Sequence, residues 1–307
     1  MSRWFLYTVL TMLLWGGWGV LSKPLSEALS SWQVQTLSTL GLLPVLALLA
    51  GAARLSHSAN PRLGCAQAFG SGIITSLGNV ACYEALAAGG KAAAVIPLTG
   101  LYPLVTILLA LVVLRERLNT KQAAGVGASL VALYCFSGGV SAGFMSAWLA
   151  VAFLAVVLWG TGAFLQKLAT LHASSELATL AFLLGFLPVA VLTPLFHPIS
   201  LAVGVRNWAL VLALGLFFAL GNLTLMRAYS LGGRAAIVTP MASLYSLVTI
   251  PAAVVLLGER PTLREGCGIA CALLAVVGLS WETPTPPTQP LTPQAAPQQS
   301  VTPPTPS

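Results

Sequence analysis

The sequence predicts an all-α membrane protein of ten transmembrane helices arranged as a 5+5 inverted-topology repeat. Three observations carry that prediction. Hydrophobic residues make up 57% of the 307 residues and charged residues only 7%, whereas a soluble domain carries about 25% charged residues. Apolar runs of roughly 20 residues, long enough to cross a bilayer as helices, recur along the chain. Two stretches are also nearly identical: GGKAAAVIPLTGLYPLVT from Gly89 to Thr106, and GGRAAIVTPMASLYSLVT from Gly232 to Thr249.

The spans lie near residues 4–22, 32–53, 65–88, 92–114, 122–140, 145–166, 176–196, 207–230, 235–257 and 264–281. They lack the apolar–polar alternation of lipid-facing strands, so they are helices. The first span follows Arg3 as the apolar core of a leader follows its basic start. No Ala-x-Ala-like cleavage site comes after it, and it is expected to remain as an uncleaved helix. The short connection Ala88-Gly89-Gly90-Lys91 calls for antiparallel neighbours packed tightly. After Trp281 the chain changes to TPTPPTQPLTPQAAPQQSVTPPTPS, without Lys, Arg or an aromatic residue. Such a segment cannot bury enough apolar surface to fold, so 283–307 is expected to be a disordered, proline-rich cytoplasmic tail of partly polyproline character. The remainder divides into a first five-helix repeat, 1–140, and a second, 141–282.

The duplication extends well beyond the quoted stretches. Aligned at an offset of 143, residues 77–117 and 220–260 share 21 identities in 41 positions. These include Leu77-Gly78-Asn79 with Leu220-Gly221-Asn222, Pro97 with Pro240, Tyr102 with Tyr245, and Glu116-Arg117 with Glu259-Arg260. At an offset of 144, Trp15-Gly16 matches Trp159-Gly160, Lys23 matches Lys167, and Pro44 matches Pro188. Coincidence among Ala, Leu, Val and Gly does not supply such pairs. Five spans is an odd number, so the second copy enters the membrane from the opposite side. Inverted repeats suit a transporter, because two mirrored halves can exchange conformations around a site near the midplane.

Lys and Arg set the orientation, since cytoplasmic loops collect them. With ten spans both termini share a side. That side holds Arg3, Arg54, Arg62, Arg115, Arg117, Lys121, Lys167, Arg227 and Arg234; the other holds Lys23, Lys91, Arg206, Arg260 and Arg264. The bias of nine to five places the N- and C-termini in the cytoplasm, with the signal coming from the first half. The formal charge of +7 reflects this topology, and no basic cluster with interleaved aromatics points to nucleic acid.

These features resemble the drug/metabolite transporter superfamily in its ten-helix, EamA-type branch. The matching residues are LWGGWGVLSK near the end of span 1 and AAAVIPLTGLYPLVTILLALVVLRERLN around span 4. LWGTGAFLQK and AAIVTPMASLYSLVTIPAAVVLLGERPT match in the second copy. The resemblance covers about 1–281. It implies a bundle in the cell (inner) membrane that carries small metabolites, often outward, with both termini cytoplasmic. Glu84, inside span 3, departs from the simplest family pattern.

Depth in the membrane selects the candidate residues. Asn79 and Asn222 fall near the middle of spans 3 and 8, where an amide must find a partner helix or a substrate. Tyr102 and Tyr245 lie near the middle of spans 4 and 9, and Trp15, Trp18 and Trp159 well inside spans 1 and 6, away from the interfacial belts where such aromatics usually sit. Together they describe an aromatic-walled cavity with a few polar groups, suited to amphipathic solutes such as amino acids or amines. Bundle packing is the competing reading for each. Pro97 and Pro240 sit about a turn into spans 4 and 9, as hinges or as harmless first-turn prolines. Lys23 and Lys167 end the first span of each copy, where they snorkel or gate. Glu84 is the sole acid plainly inside a span. It is a proton-coupling candidate, unless it reaches the headgroups or pairs with Lys91 or Lys23.

The chain has no Asp and seven Glu, with no paired carboxylates, metal-ligand cluster or phosphate loop. His57, His172 and His197 are isolated, and the five cysteines read as small apolar packing. No enzymatic activity, metal or cofactor is expected. The expected partners are a small-molecule substrate and the lipid bilayer, with a homodimer left open. The sequence therefore reads as a secondary transporter, an exporter or facilitator working by alternating access. The alternative is a non-transporting receptor or scaffold that uses the proline-rich tail.

Overall fold

A computed structural model describes residues 3–52, 60–113, 119–136, 146–231 and 241–279. The expected tail, Pro240 and Glu116-Arg117 lie outside these residues. Among the described residues every regular element is helical, and each expected span falls on a helix. The first half contains α1 (Arg3–Ala28), α2 (Ser31–Thr39), α3 (Leu43–Ala52), α4 (Pro61–Ala87), α5 (Ala92–Thr99), α6 (Tyr102–Val113) and α7 (Thr120–Phe136). The second contains α8 (Ala147–Thr170), α9 (Ser175–Leu184), α10 (Phe186–Phe196), α11 (Gly204–Ser230), α12 (Ser246–Leu256) and α13 (Leu263–Leu279). Among the described residues, six helical segments are long and apolar enough to cross a membrane: Arg3–Ala28, Ser31–Gly51, Ala92–Val113, Ala147–Gln166, Glu176–Phe196 and Gly204–Ala228. Helix α4 has the length, at 27 residues, but Gln67, Ser71, Asn79 and Glu84 dilute its hydropathy. Val112, Leu195, Phe196 and Val255 lie on the outside of the bundle, each more than 70% exposed, as expected where the surroundings are hydrocarbon.

Several spans are interrupted at matched places. Spans 2 and 7 tighten at Gly41, within a 3-10 turn at Leu40–Leu42, and at its counterpart Gly185. Span 4 breaks between α5 and α6, where the Leu101 N–H bonds back to the Leu98 carbonyl (3.0 Å). Span 9 tightens at its counterpart, with Tyr245 N–H bonding to the Ala242 carbonyl (3.2 Å). Pro97 is buried inside α5, and the break comes three residues after it at Gly100-Leu101. The sequence left this proline as a hinge or a harmless first-turn residue; it is the sixth residue of α5, and the three-residue turn follows at Gly100-Leu101.

The halves pack by exchanging partners. Helix α1 crosses α11 as α8 crosses α4, and α13 lies against α7. Glycines set these distances. A Cβ on Gly215 would stand 1.8 Å from the Ser38 carbonyl oxygen, and one on Gly72 2.0 Å from that of Phe182. The neighbours mirror each other, since Gly41 faces Gly215 and Gly185 faces Gly72. Polar side chains add matched links: Thr249 Oγ1 donates to the Gly16 carbonyl (3.0 Å) and Thr106 Oγ1 to that of Gly160 (2.9 Å).

One end of the bundle is closed by contacts between elements. The Glu259 carboxylate accepts the first two backbone N–H groups of α5, from Ala92 (2.7 Å) and Ala93 (2.8 Å), where a helix N-terminus favours negative charge. Lys91 Nζ bonds Glu265 Oε2 at 2.7 Å and the Arg260 carbonyl at 3.0 Å. Gln33 reaches the Ser200 carbonyl (2.7 Å), and Trp32 stacks on His197 with centroids 4.6 Å apart. Lys23, 13% exposed at its side chain, donates to the Leu86 carbonyl (2.9 Å) and pairs with Glu27 (3.1 Å). Behind these links Cys82 is fully buried in the cluster that holds α5.

Two predictions follow from this packing. Gly215→Ala should lower stability by about 1–3 kcal/mol through overpacking. Gly70→Ala, which has open space around its Cβ, should leave stability unchanged or raise it by up to ~1 kcal/mol through helix propensity. Thermal unfolding of the two detergent-purified variants compares them, and equal melting temperatures would count against the close-packed crossing. Glu259→Ala should expose Cys82, raising its maleimide labelling at least about ten-fold, the equivalent of ~1.4 kcal/mol. Mass spectrometry of the labelled peptide reads the change, and unchanged labelling would show that the carboxylate does not hold this end shut.

Candidate substrate site

A cavity of about 110 Å³ lies in the middle of the bundle. Six of the seven residues selected from the sequence line it: Trp15, Trp18, Tyr102, Trp159, Asn222 and Tyr245. The seventh, Asn79, is 2% exposed and faces a separate void of about 10 Å³, with Gln35, Ser38 and Tyr83 around it. That space is about enough for one water molecule.

The repeat explains how the walls are built. Trp159 on α8 meets Tyr102 edge-on at 6.4 Å and 88°, and Trp15 on α1 meets Tyr245 at 6.1 Å and 85°. Each tyrosine stands at the interruption of its span, so the break delivers the ring to the cavity. Each indole lies over a glycine of the crossing helix: Cβ atoms on Gly78 and Gly221 would meet the Cδ1 atoms of Trp159 and Trp15 at 2.4 and 2.3 Å. Trp18 has no aromatic counterpart, because Gly162 occupies its matched position. It packs 5.7 Å from Trp159, and its Nε1 donates to Tyr83 Oη at 3.2 Å. This contact floors the cavity toward the closed end.

Thr75, Ala163, Gln166, Phe182 and Phe218 complete the lining and were not selected from the sequence. A signal for some of them was present. Thr75 and Phe218 are repeat counterparts at an offset of 143, and Gln166 is a polar residue ending the apolar run of span 6. Phe182 gave no such signal. No lining residue is charged, so the site offers aromatic faces, amides and hydroxyls. Gln166 and Asn222 lie four and eight residues from the ends of α8 and α11, roughly 6 and 12 Å along their axes. Both of those ends point away from the closed face.

The remaining candidates are placed apart from the lining. Glu84 is exposed and accepts a hydrogen bond from Ser31 Oγ. Among the described residues Lys91 and Lys23, one of the alternatives left open for it, engage Glu265 and Glu27 instead. Lys23 belongs to the closed end. Lys167 belongs to α8, with its side chain outside the described set.

Comparison with known proteins agrees with this architecture. No curated protein matches the chain. A solved crystal structure superposes over 90% of this chain and 95% of its own, with a TM-score of 0.59 at 18% identity, a likeness of fold. The model of the EamA-like transporter family matches twice, over residues 2–138 and 146–281, once on each half. This is therefore a multi-pass membrane protein of the drug/metabolite transporter superfamily, a class that moves small molecules, and the chain belongs to the EamA-like transporter family.

Proposed function

We propose that the protein is a secondary transporter that carries small amphipathic metabolites, such as amino acids or amines, across the inner membrane by alternating access. The observation that carries this reading is the central cavity, aromatic-walled and uncharged, built from matched residues of both halves. Its volume suits a compact solute, since an apolar cavity of about 150 Å³ accepts benzene. The ten helices cross the membrane as two inverted five-helix repeats, residues 1–140 and 141–282. The nine-to-five distribution of Lys and Arg puts both termini in the cytoplasm, which makes the closed end the outer face. On that orientation the cavity is shut to the outside by the Glu259 cap and the Trp18–Tyr83 contact. It loads from the cytoplasm, the direction an exporter needs.

Purified protein in proteoliposomes, given a pooled panel of labelled amino acids, amines and nucleosides with and without a pH gradient, tests the proposal. Selective, saturable uptake is expected. Trp159→Ala and Tyr102→Ala should cut it at least about ten-fold with expression intact. Glu84→Gln, remote from the lining, should change neither the rate nor its response to the gradient. Normal transport by both cavity variants would remove the site from the mechanism.

A further inference from the structure

The two halves place the same tryptophan–asparagine pair in two different bonding states. In one, Trp159 Nε1 donates to Asn79 Oδ1 at 3.0 Å and to the Thr75 carbonyl at 3.3 Å. The repeat counterparts of Trp159, Asn79 and Thr75 are Trp15, Asn222 and Phe218. There, Asn222 Nδ2 donates to the Phe218 carbonyl at 2.8 Å, occupying the acceptor that the indole takes in the first copy. Trp15 Nε1 is buried and has no hydrogen-bond partner among the described residues. The rings themselves sit alike, each over its glycine, so the difference lies in the amide and not in helix packing. A buried indole N–H without an acceptor is uncommon and calls for an explanation.

The explanation lies in the cavity. The satisfied pair directs its asparagine into the small void, and the unsatisfied pair directs Asn222 and the Trp15 ring to the larger space. Asn222 Oδ1 accepts no hydrogen bond among the described residues, where the residue's side-chain bond is the one from its amide nitrogen. Among the described residues, a buried donor and an amide acceptor therefore remain unpaired on two residues lining a wall that carries no charge.

We propose that the Trp15–Asn222 pair is the polar anchor of the site. It takes a compact, uncharged solute group that presents a hydrogen-bond acceptor beside a donor, as a carboxamide does. The solute's acceptor receives the Trp15 indole N–H, its donor goes to Asn222 Oδ1, and its apolar body rests on the aromatic walls. This deepens the transporter reading and rests on it. Because the halves mirror each other, the same group meets Trp159 and Asn79 when the cavity opens at the opposite end. The Trp15–Asn222 pair then closes as Trp159–Asn79 is closed now.

The test uses the full chain in lipid nanodiscs with ¹⁵N-labelled tryptophan, its indole signals assigned with Trp15→Phe and Trp159→Phe. Isobutyramide, compact and uncharged, is titrated in. The Trp15 indole proton should move downfield and saturate while that of Trp159 stays still. Asn222→Ala should weaken the response at least about ten-fold, with the other indole signals reporting an intact fold. A silent Trp15 signal, or equal movement of both indoles, overturns the anchor. Saturation by tetramethylammonium at lower concentration than isobutyramide also overturns it, since the rings would then be reading a cation. Selective uptake in liposomes with a silent Trp15 defeats the anchor alone. A Trp15 response without uptake of any solute supports the anchor and defeats the carrier reading.

Discussion

Backbone approach at four glycines underlies the rest of the architecture. Lipid gives helices no hydrophobic reason to associate, so association depends on van der Waals contact, and contact is best where side chains are smallest. Gly41 against Gly215 and Gly185 against Gly72 bring four spans together closely enough that a methyl group would collide with main-chain atoms. These crossings hold spans 2 and 8 together in one place and spans 3 and 7 in the other. They leave the larger side chains of spans 1, 4, 6 and 9 to fill the centre. The aromatic cavity is the consequence: rings cannot pack as tightly as glycines, and the residual space collects where rings from both halves converge.

Symmetry in sequence does not force symmetry in structure, and function lives in the departures. The two Trp–Tyr contacts agree to within 0.3 Å and 3°, so the framework is mirrored. The fillings differ. Trp18 stands opposite Gly162, Phe182 opposite Ser38, and Gln166 opposite Ser22. The larger residue lies in the first half in one of these pairs and in the second half in the other two, so the two halves are not interchangeable. A perfectly symmetric chain would populate both facings equally and favour neither.

Much of this was legible in the sequence, for identifiable reasons. Matched Trp, Asn and Tyr positions stood out because such residues are expensive in hydrocarbon and their recurrence at equal depth is improbable. That selection found six residues of one cavity before any coordinates. What escaped were residues whose role depends on the neighbour rather than on their own chemistry. Phe182 looks like any apolar residue of span 7 until Gly72 lets α9 approach α4. The turn at Gly100 follows Pro97, the sixth residue of α5, whose ring removes the N–H that a residue there would donate to the Ala93 carbonyl, so the proline drew attention away from the glycine after it. Asn79 and Asn222 read as equivalents. The sequence could not reveal that one amide is spent on an indole and the other on its own helix, because that choice depends on the packing around each residue.

The contacts at the closed end are individually weak. Lys91 and Glu265 remain 35% and 21% exposed, a setting in which ion pairs contribute about 0–1 kcal/mol. Capping of a helix N-terminus by a side chain contributes about 1 kcal/mol. Stacking of Trp32 on His197 adds a similar amount, about 0.5–1.5 kcal/mol. A few such links together contribute a few kcal/mol, and under the proposed alternating access an opposite state disfavoured by that much would be a minor population. These links rim a buried apolar cluster that includes Leu86, Val95 and Ile96. On the alternating-access reading, opening this end would also separate part of that apolar surface, so the polar links alone would not set its cost.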